Sequence, residues 1–184
     1  MTELSLNVLD IAQNSIKAKA SLIEISVHID TAADRMEIII KDNGCGMSEE
    51  QAAKVTDPFF TTRTTRKVGL GVSFFKMAAE QTGGSFEIKS QLGAGTSVRA
   101  VFIVSSIDRM PLGNMSETIE SLIVYNTAID FIYTYSVNGE AFTLSTSEMR
   151  EILGNVPLDN PEVVAYIRDF LKENTEAVNK EYIF

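Results

Sequence analysis

The chain has 184 residues, of which 45% are apolar, and this length and composition suit one globular domain or one domain with an appendage. No stretch approaches the roughly 20 apolar residues of a membrane span, and the first ten residues lack the basic and apolar regions of a secretory signal. The single cysteine excludes an internal disulfide and a metal site of several thiolates, so we expect a cytoplasmic protein.

The first half of the sequence predicts alternating helices and strands. Residues 3–19 should form a helix because apolar residues recur at intervals of three and four. Strands are predicted at 22–29 and 36–41, joined by a polar turn. Ser48, followed by two glutamates, predicts the start of a helix over 48–56. The next elements are a basic, threonine-rich loop at 57–71, a helix at 72–82, and strands at 85–90 and 96–104.

The composition changes near residues 105–115, and we predict a domain of residues 1–108 followed by an acidic α/β extension of residues 109–184. Of the net charge of −9, residues 105–184 carry −8. This argues against broad nucleic-acid binding, which needs a basic surface, and favours a protein partner or a small anionic ligand at a local basic cluster. In the extension we predict a helix at 117–126, a hairpin of strands 131–137 and 141–145 around Asn138-Gly139, and helices at 147–153 and 161–178.

Polar side chains share one face of the first predicted helix. Asn7, Asp10, Asn14 and Lys17 follow each other at steps of three or four residues. Amide and carboxylate oxygens suit Mg²⁺, which proteins usually bind together with substrate phosphates. A solvated helix face is the alternative interpretation.

The stretch KDNGCGMS places Asp42 at the end of an apolar strand, with Gly44 and Gly46 behind it. A carboxylate there could accept a hydrogen bond from the amine of a base, and glycines permit close backbone approach. A plain hairpin turn is the alternative, because Asn-Gly is a hairpin signal. Further along, Gly95-Thr96 opens an apolar strand and could add a hydroxyl beside a bound base.

Three basic residues, Arg63, Arg66 and Lys67, lie together in the loop before the helix at 72–82. Gly69 and Gly71 follow, and glycine-rich backbone at a helix N-terminus binds anions. The third glycine of a dinucleotide-binding motif is missing, and no P-loop motif occurs in the chain.

Read together, these segments resemble the conserved boxes of the GHKL ATPase superfamily, which includes gyrase B, Hsp90, histidine kinases and MutL. QNSIKA resembles the N box, DNGCGM the G1 box, DPFFTT the F box, KVGLGVSF the G2 box and GAGTSVRAVF the last strand. The resemblance covers about residues 1–104. It implies an α+β fold, a two-layer sandwich with helices on one face of a mixed sheet, and ATP·Mg²⁺ bound between the sheet and a mobile lid.

The resemblance also implies roles by position. Asn14 would ligate Mg²⁺, and Asp42 would hold the adenine amine. Gly44 and Gly46 would shape the pocket for the base, and Thr96 would lie near the adenine and contact it through water. Contacts with the phosphates and the lid are implied for Lys17, Arg63, Arg66, Lys67 and the turn Gly69-Leu70-Gly71.

Lys17, three residues after Asn14, resembles the histidine kinase branch, as does the short lid. Asp10 lies four residues before Asn14, where ATPase branches place a catalytic glutamate, and is a candidate general base. We therefore consider a kinase that phosphorylates a histidine or serine of a partner, a slow ATPase or nucleotide-operated switch, and a non-catalytic binding module. A homodimer is left open.

The chain's only histidine, His28, lies in the strand ISVHI, and we expect no phosphoacceptor hairpin ahead of the ATPase-like region. We expect a structural role for His28 and a phosphoacceptor on another protein. Cys45 is expected to fill the pocket, with redox sensing as the alternative.

Overall fold

The computed structural model describes residues 3–56 and 70–184. In these ranges the strands are β1 (Leu22–Asp30), β2 (Arg35–Asp42), β3 (Ser85–Gln91), β4 (Gly95–Ile103), β5 (Asp130–Val137) and β6 (Glu140–Ser145). The helices are α1 (Leu4–Lys17), α2 (Glu49–Val55), α3 (Leu70–Gln81), α4 (Met115–Tyr125), α5 (Thr146–Leu153) and α6 (Pro161–Asn179).

The six strands form one mixed sheet in the order β3-β4-β2-β1-β5-β6. Neighbouring strands are antiparallel except β1 and β5, which are parallel. The predicted α+β fold class is thereby confirmed. The hairpin of the acidic extension continues the sheet of the preceding region, while the division of the chain at residue 108 stays a prediction.

One face of the sheet carries the hydrophobic core. Alternate residues of β1, Ile23, Ile25, Val27 and Ile29, are at most 3% exposed, and the residues between them face the other side. Helices α3, α1, α4 and α6 contact one another in series as the second layer. No helix in the described ranges combines the length and apolarity that a bilayer crossing requires.

The start of α1 is held by a segment from the beginning of the extension. The backbone amides of Leu4 and Ser5 donate to the carbonyl oxygens of Pro111 and Leu112, at 2.9 and 2.8 Å. The Leu112 amide in turn donates to the carbonyl of Phe184 at 3.2 Å. The first amides of a helix have no partner within it, so this segment replaces a side-chain cap, which Glu3 does not supply.

The predicted elements agree with the structure within a few residues. Ser48 caps α2 as predicted, and the structure adds a reciprocal hydrogen-bonded pair with Gln51. Helix α3 begins at Leu70, two residues earlier than predicted, and α4 begins at Met115 with Asn114 as its cap. The rest of the predicted loop lies outside the described residues.

Candidate functional site

A cavity of about 260 Å³ opens between α1 and the inner face of the sheet, where β2 ends. Five of the predicted site residues line it: Asn14, Lys17, Asp42, Gly46 and Thr96. The apolar part of its wall is formed by Ile11, Ile40, Val55, Val72, Ile88 and Val98. Folding therefore brings polar groups from three separate motifs to one largely apolar cavity.

Asp42 is the last residue of β2, and its carboxylate is held by three donors. Oδ1 accepts from the backbone amides of Gly44 at 2.9 Å and Thr96 at 3.3 Å. Oδ2 accepts from the hydroxyl of Ser15 at 2.6 Å, and Ser15 is buried in α1. Because a carboxylate offers about four acceptor positions, these bonds fix its orientation and leave about one position for a ligand.

The glycines of the KDNGCGMS loop let it close against two neighbouring segments. A Cβ on Gly44 would lie 2.8 Å from the carbonyl oxygen of Ala18, which accepts the Cys45 amide at 2.9 Å. Gly46 has φ +64°, and a Cβ there would lie 1.9 Å from the carbonyl oxygen of Gln91. The space that the missing side chains leave is thus taken by protein backbone, and Gly46 also lines the cavity.

Thr96 belongs to a hydroxyl network at the start of β4. Its Oγ1 lies 2.9 Å from the Oγ of Ser90, which also accepts the Met47 amide at 2.8 Å. Gly95 has φ +97°, and a Cβ there would lie 1.9 Å from the carbonyl oxygen of Asp42. This network joins the loop to the strand pair β3–β4 and fixes the position of the Thr96 hydroxyl.

The polar residues of α1 lie in different surroundings. Asn14 is half-buried and Lys17 exposed, and both line the cavity. Asp10 is exposed and touches the start of α3, since a Cβ on Gly71 would lie 2.8 Å from the Asp10 Cβ. Asn7 is fully buried, and neither of its side-chain polar atoms has a hydrogen-bond partner among the described residues. The polar face predicted for this helix therefore ends at Asp10, and Asn7 belongs to the core.

Several predicted site residues cannot be placed. Arg63, Arg66, Lys67 and Gly69 lie outside the described residues. The backbone of Leu70 begins α3, while its side chain is outside the description.

Two residues of the site, Ser15 and Ser90, were not predicted from the sequence. Ser15 lies four residues after Ile11, so helical periodicity places it on the buried side of α1. Ser90 follows Phe86 and Ile88 in the two-residue alternation of β3, which turns it to the inner face. In both cases the periodicity predicts the inward position, although a small polar side chain is more often exposed.

Cys45 and His28 are both more exposed than their surroundings in the sequence suggest. Cys45 lines the cavity but is exposed, so its thiol lies at the rim. His28 is also exposed, on the outer face of the sheet, and its Nδ1 lies 2.7 Å from the Ser136 hydroxyl. Its apolar sequence neighbours, Val27 and Ile29, point to the opposite face, so His28 is not a core residue.

A family of ATPases and several bacterial sensor proteins match the first part of the chain. The profile of the histidine kinase-, DNA gyrase B- and HSP90-like ATPases matches residues 2–105. The sensor protein kinase FleS of Pseudomonas aeruginosa is 34% identical over 110 residues, which is 60% of this chain and 27% of that protein. The sensor protein SrrB of Staphylococcus aureus is 37% identical over 79 residues, which is 40% of this chain and 14% of that protein. The matched part is thus less than a third of the length of these relatives.

Two solved structures share the fold of this chain. The MutL ATPase domain of Aquifex aeolicus, solved with ADP, aligns over the whole of both chains with a TM-score of 0.52 and 16% identity. The N-terminal domain of a DNA repair protein gives a TM-score of 0.52 and 17% identity over 79% of this chain and 53% of that one. The family profile covers more than half of this chain, and the fold agrees with it. The chain therefore belongs to the family of histidine kinase-, DNA gyrase B- and HSP90-like ATPases, and its ATPase domain is related to the catalytic domains of sensor histidine kinases.

Proposed function

We propose that the chain binds ATP with Mg²⁺ in the cavity beside Asp42 and phosphorylates a histidine or serine of another polypeptide. The observation that carries the nucleotide proposal is the Asp42 carboxylate, which three protein donors orient while about one acceptor position remains. An exocyclic amine of adenine is a donor that suits this position.

The cavity fits a purine base. Its apolar wall suits the faces of a flat ring, and its few polar groups are those that fix orientation in typical ligand sites. Thr96, on the strand paired with β2, supplies a hydroxyl beside Asp42. A base bound here would leave the phosphates to extend along α1.

The groups for the phosphates and the metal come from two helices. The Asn14 amide oxygen is a hard ligand for Mg²⁺, and the Lys17 ammonium on the same helix suits a phosphate. The start of α3, at Leu70 and Gly71, offers backbone amides to an anion. Mg²⁺, when bound, would neutralise phosphate charge. Arg63, Arg66, Lys67 and Gly69 remain proposed phosphate and lid residues on the sequence evidence alone.

Transfer to a protein is favoured by Lys17, three residues after Asn14 as in histidine kinases, and by the sensor kinases among the relatives. We further propose that the protein is cytoplasmic and that its acidic extension, residues 109–184, contacts a protein partner.

A second candidate function is a slow ATPase or nucleotide-operated switch. It is favoured by Asp10, whose side chain is exposed and touches Gly71 at the start of α3, where the phosphates are proposed to lie. As a general base, Asp10 would have to come within hydrogen-bonding distance of an attacking water.

Calorimetry with ATP·Mg²⁺ tests the nucleotide site. We expect the wild type to bind, and Asp42→Asn to bind at least about tenfold more weakly because it loses a charged acceptor. Glu24→Gln, a matched change on the outer face of β1, should bind like the wild type. Equal binding by wild type and Asp42→Asn would refute the assignment of the site.

An assay with ATP labelled at the γ-phosphate then separates the candidate functions. Label on a polypeptide supports the kinase, and release of phosphate that Asp10→Asn abolishes supports the ATPase. Binding without either outcome would leave a non-catalytic module.

A further inference from the structure

The outer face of the sheet carries a groove that the proposed nucleotide site does not use. Its volume is about 690 Å³, and the turns that join β1 to β2 and β5 to β6 form one end of it. His28, Arg35, Glu37 and Ser136 lie along the groove. His28 is the only histidine of the chain, and its side chain is exposed there.

The imidazole of His28 is oriented by its neighbour on β5. In the strand register His28 lies opposite Ser136 on β5 and opposite Glu37 on β2. Nδ1 is 2.7 Å from the Ser136 hydroxyl. In the tautomer in which Nδ1 donates its proton to that oxygen, Nε2 carries the free lone pair. None of the described residues forms a hydrogen bond with Nε2, so this nitrogen is open to an incoming group.

Beside the imidazole lies a carboxylate with two arginine partners. Glu37 accepts from Arg35 and from Arg99, each at 2.5 Å. Burial raises the pKa of Glu37, but the hydrogen bonds and charges of Arg99 and Arg35 outweigh this effect and lower it, so the carboxylate is ionised near neutral pH. Arg35 lines the groove and is 43% exposed, so it could turn to a new anion while Arg99 still neutralises Glu37.

We propose that His28 is a phosphoacceptor, phosphorylated on Nε2 by ATP bound to a second copy of this chain. This inference rests on the proposed function and names one acceptor for it.

Two copies are needed because a chain cannot bring its own nucleotide to its own His28. Asp42 is paired with Ile23 of β1, and His28 lies five residues further along that strand. At ~3.3 Å per residue the two points are roughly 17 Å apart along the strand. They also lie on opposite faces, since Asp42 faces the inner cavity and His28 the outer groove.

The transfer balances without a further reactant. The Nε2 lone pair attacks the γ-phosphorus, an N–P bond forms, and the bond from that phosphorus to the bridging oxygen breaks so that ADP leaves. Nδ1 keeps its proton, and the ring becomes a phosphorylated imidazolium. Its positive charge would face the Glu37 carboxylate across the strand pair, and the exposed guanidinium of Arg35 would be available to the phosphoryl group.

The test uses the full chain with Mg²⁺ and ATP labelled at the γ-phosphate. We expect the wild type to take up label that acid removes and alkali does not, as for an N–P bond. His28→Gln should bind ATP as the wild type does and lose at least nine-tenths of this label. Because the His28 side chain is exposed, we expect the variant to fold, and circular dichroism checks this. Ser26→Ala, on the same strand and face, should be labelled normally.

A mixing experiment tests transfer between copies. Asp42→Asn, which keeps the acceptor, is mixed with His28→Gln, which keeps the nucleotide site, and the two are distinguished by an affinity tag that changes their size. At an ATP concentration at which Asp42→Asn by itself takes up little label, label on the Asp42→Asn chain alone in the mixture supports the proposal.

The contrary outcomes also separate the two proposals. ATP binding with no acid-labile label on the chain, or with unchanged label in His28→Gln, would overturn the His28 proposal and leave the nucleotide site standing. Absence of ATP binding by the wild type would overturn both.

Discussion

Replacement of Ser15 by alanine should weaken nucleotide binding more than it weakens the fold. The Ser15 hydroxyl donates to Asp42 Oδ2 at 2.6 Å, and Ser15 is 3% exposed. The change removes one hydrogen bond to a charged group and little volume, so its effect can be assigned to the orientation and solvation of the carboxylate.

The losses of stability and of binding free energy in Ser15→Ala depend on whether water can replace the lost hydroxyl. A hydrogen bond to a charged group contributes ~1.5–3 kcal/mol. In the free protein Asp42 lines an open cavity, so water can take the vacated position and we expect the free energy of unfolding to fall by about 1 kcal/mol. A bound base would exclude that water, and the further loss of about 1.4–2 kcal/mol corresponds to about tenfold to thirtyfold weaker binding.

Calorimetry with ATP·Mg²⁺ and urea denaturation measure the two quantities on the same samples. Ser26→Ala, on the outer face of β1, serves as the matched control and should change neither. If Ser15→Ala bound ATP as tightly as the wild type, the hydroxyl would not be needed to hold the carboxylate.

The local geometry also predicts how substitutions at a glycine, a glutamate and a tyrosine change the stability of the fold. Gly46→Ala should lower the free energy of unfolding by roughly 3 kcal/mol or more, because its Cβ would collide with a carbonyl oxygen, whereas Gly139→Ala, with positive φ but open space, should cost about 1 kcal/mol. Glu37→Gln should cost about 1 kcal/mol at pH 7; since folding lowers the pKa of Glu37, this difference should disappear as the pH falls through that lowered value, below 4.5. Tyr133→Phe should be neutral or stabilising because its buried hydroxyl has no hydrogen-bond partner in the part of the chain that the structure describes, whereas Tyr135→Phe, which removes a 2.6 Å hydrogen bond to an amide oxygen, should cost about 1 kcal/mol.

Urea denaturation measures all three, with the glutamate variant followed from pH 7 to pH 3. Equal losses for the two glycine variants would show that the loop can shift away from its neighbour. A difference for the glutamate variant that grew on acidification would reverse the sign of the assigned pKa change. A larger loss for Tyr133→Phe than for Tyr135→Phe would mean that the buried hydroxyl has a partner, such as an internal water.

The order of motifs along the chain was enough to predict the fold class, because each motif has a fixed place in one known architecture. Local pattern was also enough for most elements, since periodicity and capping residues determine where helices and strands form. Strand neighbours are set by tertiary packing, and the parallel pairing of β5 with β1 could not be read from either strand alone.

In the candidate site, too, residue type predicted some features, while others depend on tertiary packing. The residue types predicted Asp42 and Thr96, and folding places them opposite each other on paired strands. The donor from Ser15 depends on how α1 lies on the sheet, which sequence spacing does not specify. Asn7 was misjudged because an amide usually indicates solvent, and here burial prevailed over residue type.

The segment that caps α1 makes the stability of that helix depend on a distant part of the chain. Amides in the first turn of a helix usually exchange with deuterium quickly, because they lack internal partners. Those of Leu4 and Ser5 are held by Pro111 and Leu112 and should instead exchange only when that contact opens. Since the other end of α1 lines the cavity, their exchange rates would report whether a ligand there tightens the cooperative unit that includes the acidic extension.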